Sequence, residues 1–220
     1  MIRSLAAPLL VVLVLAGCGK NPLAPPGLLN FGTGEASVAH VPQGAGGKAP
    51  LAWIGSTIRV QWYAVTINRV DISEDGTTWI PVLTQSVTLT AKAGVAEVAG
   101  STVGVRPGEY HGVRVWFGST LHAVAKPPNV VYWTPDEPLT DFDRYNPRVF
   151  TTRDGSLAFP FNLKSGEGSH IFFGFDFTDA WKFTNDLQDP SIRPFQAKLV
   201  LDRDPDYYPK VTVRLSKFEG

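Results

Sequence analysis

The chain has 220 residues, and its 20 lysine and arginine side chains balance its 20 aspartate and glutamate side chains. A formally neutral chain does not have the basic surface of a nucleic-acid binder, so we expect no nucleic-acid partner. With one cysteine the chain cannot form an internal disulfide, and packing of its apolar side chains, including 13 Phe, 6 Trp and 6 Tyr, must hold the fold together.

Residues 1–17 have the pattern of an export signal, because Arg3 precedes an uncharged apolar run that ends in small residues. The run is roughly a dozen residues long, whereas a membrane-spanning helix needs about 20. The pattern therefore predicts a cleaved signal rather than a permanent transmembrane helix.

The signal ends in Leu15-Ala16-Gly17-Cys18, which resembles the lipobox of bacterial lipoproteins. The resemblance implies that Cys18 carries a diacylglyceryl thioether, becomes the mature N-terminus and is acylated on its amine by a fatty acid such as palmitate. Several acyl chains would anchor the protein firmly in a membrane. Gly19 replaces the aspartate that tends to retain such proteins at the inner membrane, so we expect the outer membrane, facing the periplasm or the cell surface. The alternative is a chance cysteine in an ordinary signal.

The segment 18–52 is rich in Gly, Pro and Ala and has no sustained periodicity. Such a segment buries too little apolar surface to offset its ordering entropy, so we predict a flexible tether. In its Gly-Ala-Gly-Gly-Lys-Ala stretch, Lys48 is followed by Ala49, whereas the lysine of a phosphate-binding loop is followed by Ser or Thr. A phosphate site is therefore not expected.

Residues 53–220 are predicted to form one domain whose dominant hydrophobic period is two, the period of half-buried strands. A phase change near 66–68 predicts a bulge in the first long strand, and Asp75-Gly76 predicts a turn. Many short strands separated by Gly, Pro and Asp predict an all-β, antiparallel β-sandwich of the immunoglobulin or transthyretin kind, with at most one or two helical turns, which we place near 178–187. The expected inward-facing residues are Ile58, Val60, Trp62, Val70, Ile72, His111, Val113, Val115, Phe117, Ile171, Phe173, Phe175, Phe177, Val211, Val213 and Leu215.

Three segments of this domain resemble a bacterial family known as the domain of unknown function number forty-three eighty-two. They begin at Val65, at Val105 and at Phe172, and the matching positions include Arg69, Trp79 and Arg114. The family occurs in exported lipoproteins, and the resemblance, over about residues 57–203, implies a sandwich fold but no activity. An insert at about 127–148 departs from the family pattern.

The four histidines show no HxH or HExxH spacing, so zinc is not expected. There is no GxSxG nucleophile motif either. We therefore predict no catalytic residues and a protein that is not an enzyme, with His111 as a semi-buried structural histidine.

Asp202, Asp204 and Asp206 alternate along the chain and are candidates for a calcium site, because calcium takes several oxygen ligands at short range. Asp136, Glu137, Asp141 and Asp143 form a second acidic loop in the insert. Solvated turn residues are the alternative for both clusters, and no other cofactor is expected.

Trp116, Tyr132 and Trp133 are candidates for an aromatic surface that binds a glycan or an envelope protein. The alternative is that they fill the core. Taken together, the sequence predicts a lipid-anchored envelope lipoprotein with a binding or structural role. A periplasmic hydrolase with an unrecognised site and an accessory subunit of an envelope complex remain alternatives.

Overall fold

The computed structural model describes residues 25–33, 38–40, 57–92, 97–126, 138–184 and 198–217. Strands dominate these residues. In chain order they are β1 (Gly27–Thr33), β2 (Val38–His40), β3 (Thr57–Ser73), β4 (Ile80–Leu83), β5 (Val87–Lys92), β6 (Glu97–Val105), β7 (Gly108–Tyr110), β8 (Gly112–Lys126), β9 (Arg148–Thr151), β10 (Phe161–Leu163), β11 (Gly168–Asp176), β12 (Trp181–Thr184), β13 (Lys198–Leu201) and β14 (Lys210–Lys217).

The strands form two main sheets. The first has four strands in the order β14-β11-β1-β6. The second has six, because β3 pairs with β8 on one side and with β2, β5 and β4 in succession on the other, and β9 extends the sheet beyond β8. Two smaller ladders join β7 to β10 and β12 to β13. The predicted all-β sandwich is confirmed.

One pair of strands departs from the antiparallel prediction, since β1 and β11 run parallel in the middle of the four-stranded sheet. Parallel neighbours need a long connection. Here the connection contains all six strands of the second sheet, which lie between β1 and β11 in the sequence.

Aromatic rings from both sheets fill the space between them. The ring of Phe175 on β11 lies 5.6 Å from that of Phe117 on β8 and 5.1 Å from that of Tyr63 on β3. Because β11 alternates strictly, its inward set, Ile171, Phe173 and Phe175, is buried as the sequence predicted. These aromatic contacts stabilise the sandwich in a chain whose one cysteine can form no internal disulfide.

The tether predicted over 18–52 is wrong for residues 27–33, which form the central strand β1. Leu29 and Phe31 on this strand have no exposed surface. The strand pairs with β6 on one side and β11 on the other. Gly and Pro residues flanking this short apolar segment gave it the composition of a linker, but pairing on both sides supplies the burial that offsets its ordering entropy. The remaining tether residues, apart from 25–26 and 38–40, lie outside the described residues.

The predicted bulge in β3 is confirmed by register shifts against β8 between Val65 and Ile67 and between Ile67 and Arg69. A further shift lies between Val60 and Trp62. This earlier shift turns Tyr63 into the core, so the prediction that Trp62 faces inward with Val60 is wrong. The predicted turn at Asp75-Gly76 is also present, with a positive φ of 73° at Gly76.

The part of the insert that the structure describes packs against the core. Leu139 bridges to Leu121 on β8, and Phe142 is fully buried. The side chain of Asn146 accepts from the backbone N–H of Phe117 at 3.0 Å and donates to its carbonyl at 2.7 Å. The Asn146 amide thus satisfies backbone groups of Phe117 with which β9 does not pair, because β9 begins only at Arg148.

Two 3-10 helices, Phe142–Tyr145 and Pro205–Tyr207, are the helical turns of the described residues. Neither coincides with the turn predicted near 178–187, where Trp181–Thr184 forms β12 instead. Within the described ranges no helix is both long enough and apolar enough to cross a membrane.

Candidate functional site

A cluster of arginine and tryptophan side chains lies on the outer face of the six-stranded sheet, where the end of β3 pairs with the start of β8. We call Arg69, Asp71, Trp79, Arg114 and Trp116 the Arg–Trp cluster. Side chains two positions apart on a strand share a face. Arg69 and Asp71 therefore lie side by side on β3, opposite their register partners Trp116 and Arg114 on β8.

Asp71 is the centre of this cluster and has no exposed surface. Its Oδ1 accepts from Arg69 Nε at 2.7 Å, and its Oδ2 accepts from Arg69 Nη2 at 3.1 Å. Arg114 donates to the same Oδ2 from Nη2 at 2.6 Å and from Nε at 3.2 Å. One buried carboxylate thus holds two guanidinium groups, and the hydrogen bonds that Arg69 donates to Asp71 raise the pKa of Arg69.

The two guanidinium groups also contact the indole rings. Arg69 lies 4.9 Å and Arg114 lies 4.8 Å from the ring of Trp116, and Arg114 lies 4.7 Å from the ring of Trp79. Each distance falls within the range of a cation–π contact. Trp79 reaches this position by lying over Gly112, where a Cβ atom would come within 2.9 Å of the Trp79 ring.

These contacts bear on the predicted aromatic binding surface. Trp116 lies on the outer face, as predicted, and is half-buried. Its ring is engaged by two cations of the protein itself, which gives it a structural role in the sheet. Tyr132 and Trp133, the other two residues of the predicted surface, lie outside the described residues, so that surface stays a prediction.

A second cluster lies where β7 passes into β8. His111 Nε2 lies 3.0 Å from Glu109 Oε1, and His111 Nδ1 lies 3.2 Å from Thr152 Oγ1. The backbone fixes this geometry, because the Thr152 N–H donates to the His111 carbonyl and the His111 N–H donates to the Ser73 carbonyl. The result is a hydroxyl, an imidazole and a carboxylate in a row.

His111 is semi-buried, as predicted, but it does not lie within the strand whose alternation buries Val113. His111 lies just before the first residue of β8, in the short connection from β7, and 38% of its side chain is exposed. The strand alternation that buries Val113 does not extend to it. Sequence reasoning missed its partners because Thr152 is 41 residues away in the chain.

Of the other histidines, His170 stacks on Phe172 at a centroid distance of 5.4 Å, and burial lowers its pKa. His122 is exposed on β8. Across the described ranges, no group of three His, Cys, Asp or Glu residues is arranged to hold a metal ion.

The three candidate calcium ligands have local structural contacts. Asp202 Oδ1 accepts from the Asp204 N–H at 3.0 Å, and Asp204 Oδ1 accepts from the Asp206 N–H at 3.1 Å. The second contact caps the 3-10 helix Pro205–Tyr207. Side chains of this kind that bond to the backbone two residues ahead are typical of turns. Calcium binding here stays a prediction.

The fold defines the chain as an all-β sandwich protein, with a buried carboxylate and two guanidinium groups on one outer face. Comparisons with protein-family models, curated proteins and solved structures found no match to this chain.

Proposed function

We propose that the protein is a lipid-anchored lipoprotein of the bacterial cell envelope, at the outer membrane, with a binding or structural role. The observation that carries this proposal is the sequence Leu15-Ala16-Gly17-Cys18, which follows an apolar run of export-signal length. Cys18 is the one cysteine of the chain. It stands where a lipoprotein carries its acyl chains, and no structural disulfide competes for it.

The described fold is compatible with that of an exported protein. The sandwich has a shared aromatic core, with ring pairs such as Phe117 and Phe173 at 5.9 Å, and a domain of this size can bury enough apolar surface to fold without disulfides. The resemblance to a lipoprotein family over about residues 57–203 points in the same direction.

A role in binding is favoured over catalysis because the sequence has neither a GxSxG nucleophile motif nor the HxH or HExxH spacing of a zinc site. The Arg–Trp cluster uses its charges internally, since both guanidinium groups donate to Asp71. We place the candidate binding surface in the loops at the two ends of the sandwich, where binding residues commonly lie.

Metabolic labelling with an alkyne fatty acid tests the proposal. We expect the label in the wild-type protein and in Gly17→Ala, which keeps a small residue before the cysteine, and no label in Cys18→Ser. The labelled protein should sediment with membranes. An unlabelled wild-type protein with a free Cys18 thiol, released into the soluble fraction, would refute the proposal.

A second candidate function, a hydrolase, is favoured by the row Thr152, His111 and Glu109. A hydroxyl beside an imidazole that is in turn oriented by a carboxylate is the arrangement of an activated nucleophile. One donor that could stabilise an oxyanion is already in use, because the Thr152 N–H donates to the His111 carbonyl at 3.0 Å. This is why we rank the hydrolase second.

Hydrolysis of p-nitrophenyl acetate by the purified protein tests the second candidate. A hydrolase would lose at least about 100-fold in rate in Thr152→Val, and Glu109→Gln would lose part of its rate. A wild-type rate equal to that of Thr152→Val would reject catalysis by this row.

A further inference from the structure

The start of the described chain fixes which end of the sandwich a lipid on Cys18 would approach. The Ser165 hydroxyl donates to the Pro25 carbonyl at 2.8 Å, and the Gly166 N–H donates to the Pro26 carbonyl at 3.2 Å. These contacts hold the chain against the turn between β10 and β11 just before β1 begins. The chain therefore enters the sandwich at the end where β11 starts.

The link between this point and Cys18 is short. Residues 19–24 separate Cys18 from Pro25, so the seven steps between the two Cα atoms span at most about 25 Å when fully extended. The strand β11 alone has nine residues, which cover about 30 Å. The entry end of the sandwich must then lie close to the membrane that holds the acyl chains.

Several loops share this end, which we call the Pro25 end. The end of β6 pairs with the start of β1, and β7 leads from there to Gly112 at the start of β8. Thr151, the last residue of β9, pairs with Gly112. The loop 152–160 therefore leaves the six-stranded sheet at the Pro25 end and returns as β10, which pairs with β7.

Phe159 lies in this loop and is 77% exposed, the highest value among the exposed large hydrophobic residues of the described chain. Its neighbour Ala158 is exposed and Pro160 is half-buried. An aromatic side chain so exposed to water gains by entering the interface of a lipid bilayer. Tyr207, 48% exposed, lies at the opposite end of the four-stranded sheet, near the start of β14.

Charges of opposite sign are balanced at the Pro25 end, where three ion pairs form and the exposed Arg153 and Asp154 are adjacent in the loop 152–160. Arg106 lies 2.6 Å from Glu74, Lys164 lies 3.6 Å from Glu167, and His111 lies 3.0 Å from Glu109. Paired charges leave little net positive potential to attract anionic lipids. Apolar contact by Phe159, not charge, is then the means of docking.

We propose that the Pro25 end docks on the surface of the lipid bilayer and that Phe159 inserts into its interface. This inference rests on the proposed lipidation of Cys18, which brings Phe159 to the membrane at a high effective concentration. The occupant is a phospholipid surface, and anionic headgroups are not required.

Amide hydrogen exchange on a chemically tethered protein tests the docking. A chain beginning at Cys18 keeps every described residue, and its single thiol can be coupled to a maleimide phospholipid in phosphatidylcholine vesicles. We expect exchange in the loop 152–160 to slow at least about threefold relative to the untethered protein, with no change at residues 202–208.

Two variants make the result specific. Phe159→Ser should abolish the slowing in the loop, and Tyr207→Ser should leave it intact. Unchanged exchange at 152–160 in the tethered wild type, or equal slowing at 202–208, would overturn the docking. Because the tether is chemical, a failure of cells to acylate Cys18 would refute the proposed function without affecting this measurement.

Discussion

Arg114 lies across the sheet from Asp71 and donates to Asp71 Oδ2 at 2.6 Å, which places a guanidinium group over a carboxylate that has no exposed surface. Arg69 reaches the same carboxylate from its own strand. The desolvation of Asp71 is offset only while both cations remain in place, and the stability of this face depends on all three residues together.

Removal of the carboxylate should therefore destabilise the fold. We expect Asp71→Ala to lower the free energy of unfolding by about 3 kcal/mol, because it leaves two partly buried cations without their acceptor. Urea denaturation followed by circular dichroism measures the change. Asp143→Ala, at an exposed aspartate, is the control and should cost less than about 0.5 kcal/mol. Equal losses in the two variants would contradict this account of the cluster.

The two arginines should contribute unequally. The side chain of Arg69 is 44% exposed, whereas that of Arg114 is 24% exposed and contacts two indole rings. Water screens the more exposed pair more strongly. We expect Arg114→Met to destabilise the protein more than Arg69→Met in the same urea titration, and the opposite order would contradict the ranking.

Gly112 provides the space for Trp79. A Cβ atom at this position would lie 2.9 Å from the far edge of the Trp79 ring, so we expect Gly112→Ala to cost about 1–3 kcal/mol through overpacking. Trp79 should move away from Arg114, which near-ultraviolet circular dichroism would detect. Gly104→Ala is the control, since its nearest atom, in Pro26, is at an ordinary 3.4 Å. In a Trp79→Ala background the cost of Gly112→Ala should largely disappear.

The central position of β1 can be tested by substituting a buried and an exposed residue of this strand. Phe31→Ala should lower the free energy of unfolding by about 3–5 kcal/mol, because it opens a cavity between the sheets. Leu28→Ala on the same strand is the matched control, since Leu28 is 40% exposed. A flexible tether would tolerate both changes equally, so similar unfolding midpoints would contradict the placement of β1.

The free energy of unfolding should decrease at acid pH, because the turn after β3 contains an aspartate with a lowered pKa. Asp75 Oδ1 accepts from the N–H groups of Thr77 and Thr78 at 2.7 and 2.6 Å, and these hydrogen bonds hold the pKa of Asp75 well below its usual value. The pKa is depressed in the folded state, so this contribution is complete above the unfolded pKa of about 4 and is lost as the pH falls through the folded value.

The melting temperature, measured between about pH 5 and pH 2, should therefore drop less steeply in Asp75→Asn than in the wild type. The amide of this variant would keep one acceptor oxygen without a charge to titrate. Asp154 and Asp176 also have lowered pKa values, so part of the acid sensitivity should remain in the variant. Identical slopes would contradict the role of Asp75.

Where apolar and polar residues alternate strictly along a strand, the sequence predicted the fold correctly. The inward set of β11 and the bulge in β3 follow from local periodicity, which records which face of a strand is buried. The segment Gly27–Thr33 is too short and too close to Gly and Pro for periodicity to separate it from a linker. Its partners lie about 70 and 140 residues further along the chain, and only the assembled sheet brings them together.

The candidate sites were harder to predict for the same reason. Arg69 and Asp71 have the outward phase of a polar strand face, and so do Arg114 and Trp116 on β8. Their complementary charges were visible in the sequence, but the register that sets Asp71 opposite Arg114 was not. The row of Glu109, His111 and Thr152 depends on a chain crossing that no local pattern encodes.

The middle position of β1 has a consequence for biogenesis. This strand leaves the ribosome before either of its neighbours, yet its parallel partner β11 is translated more than 130 residues later. Non-local pairing of this kind slows folding. The four-stranded sheet therefore cannot close around β1 until the last third of the chain has been synthesised.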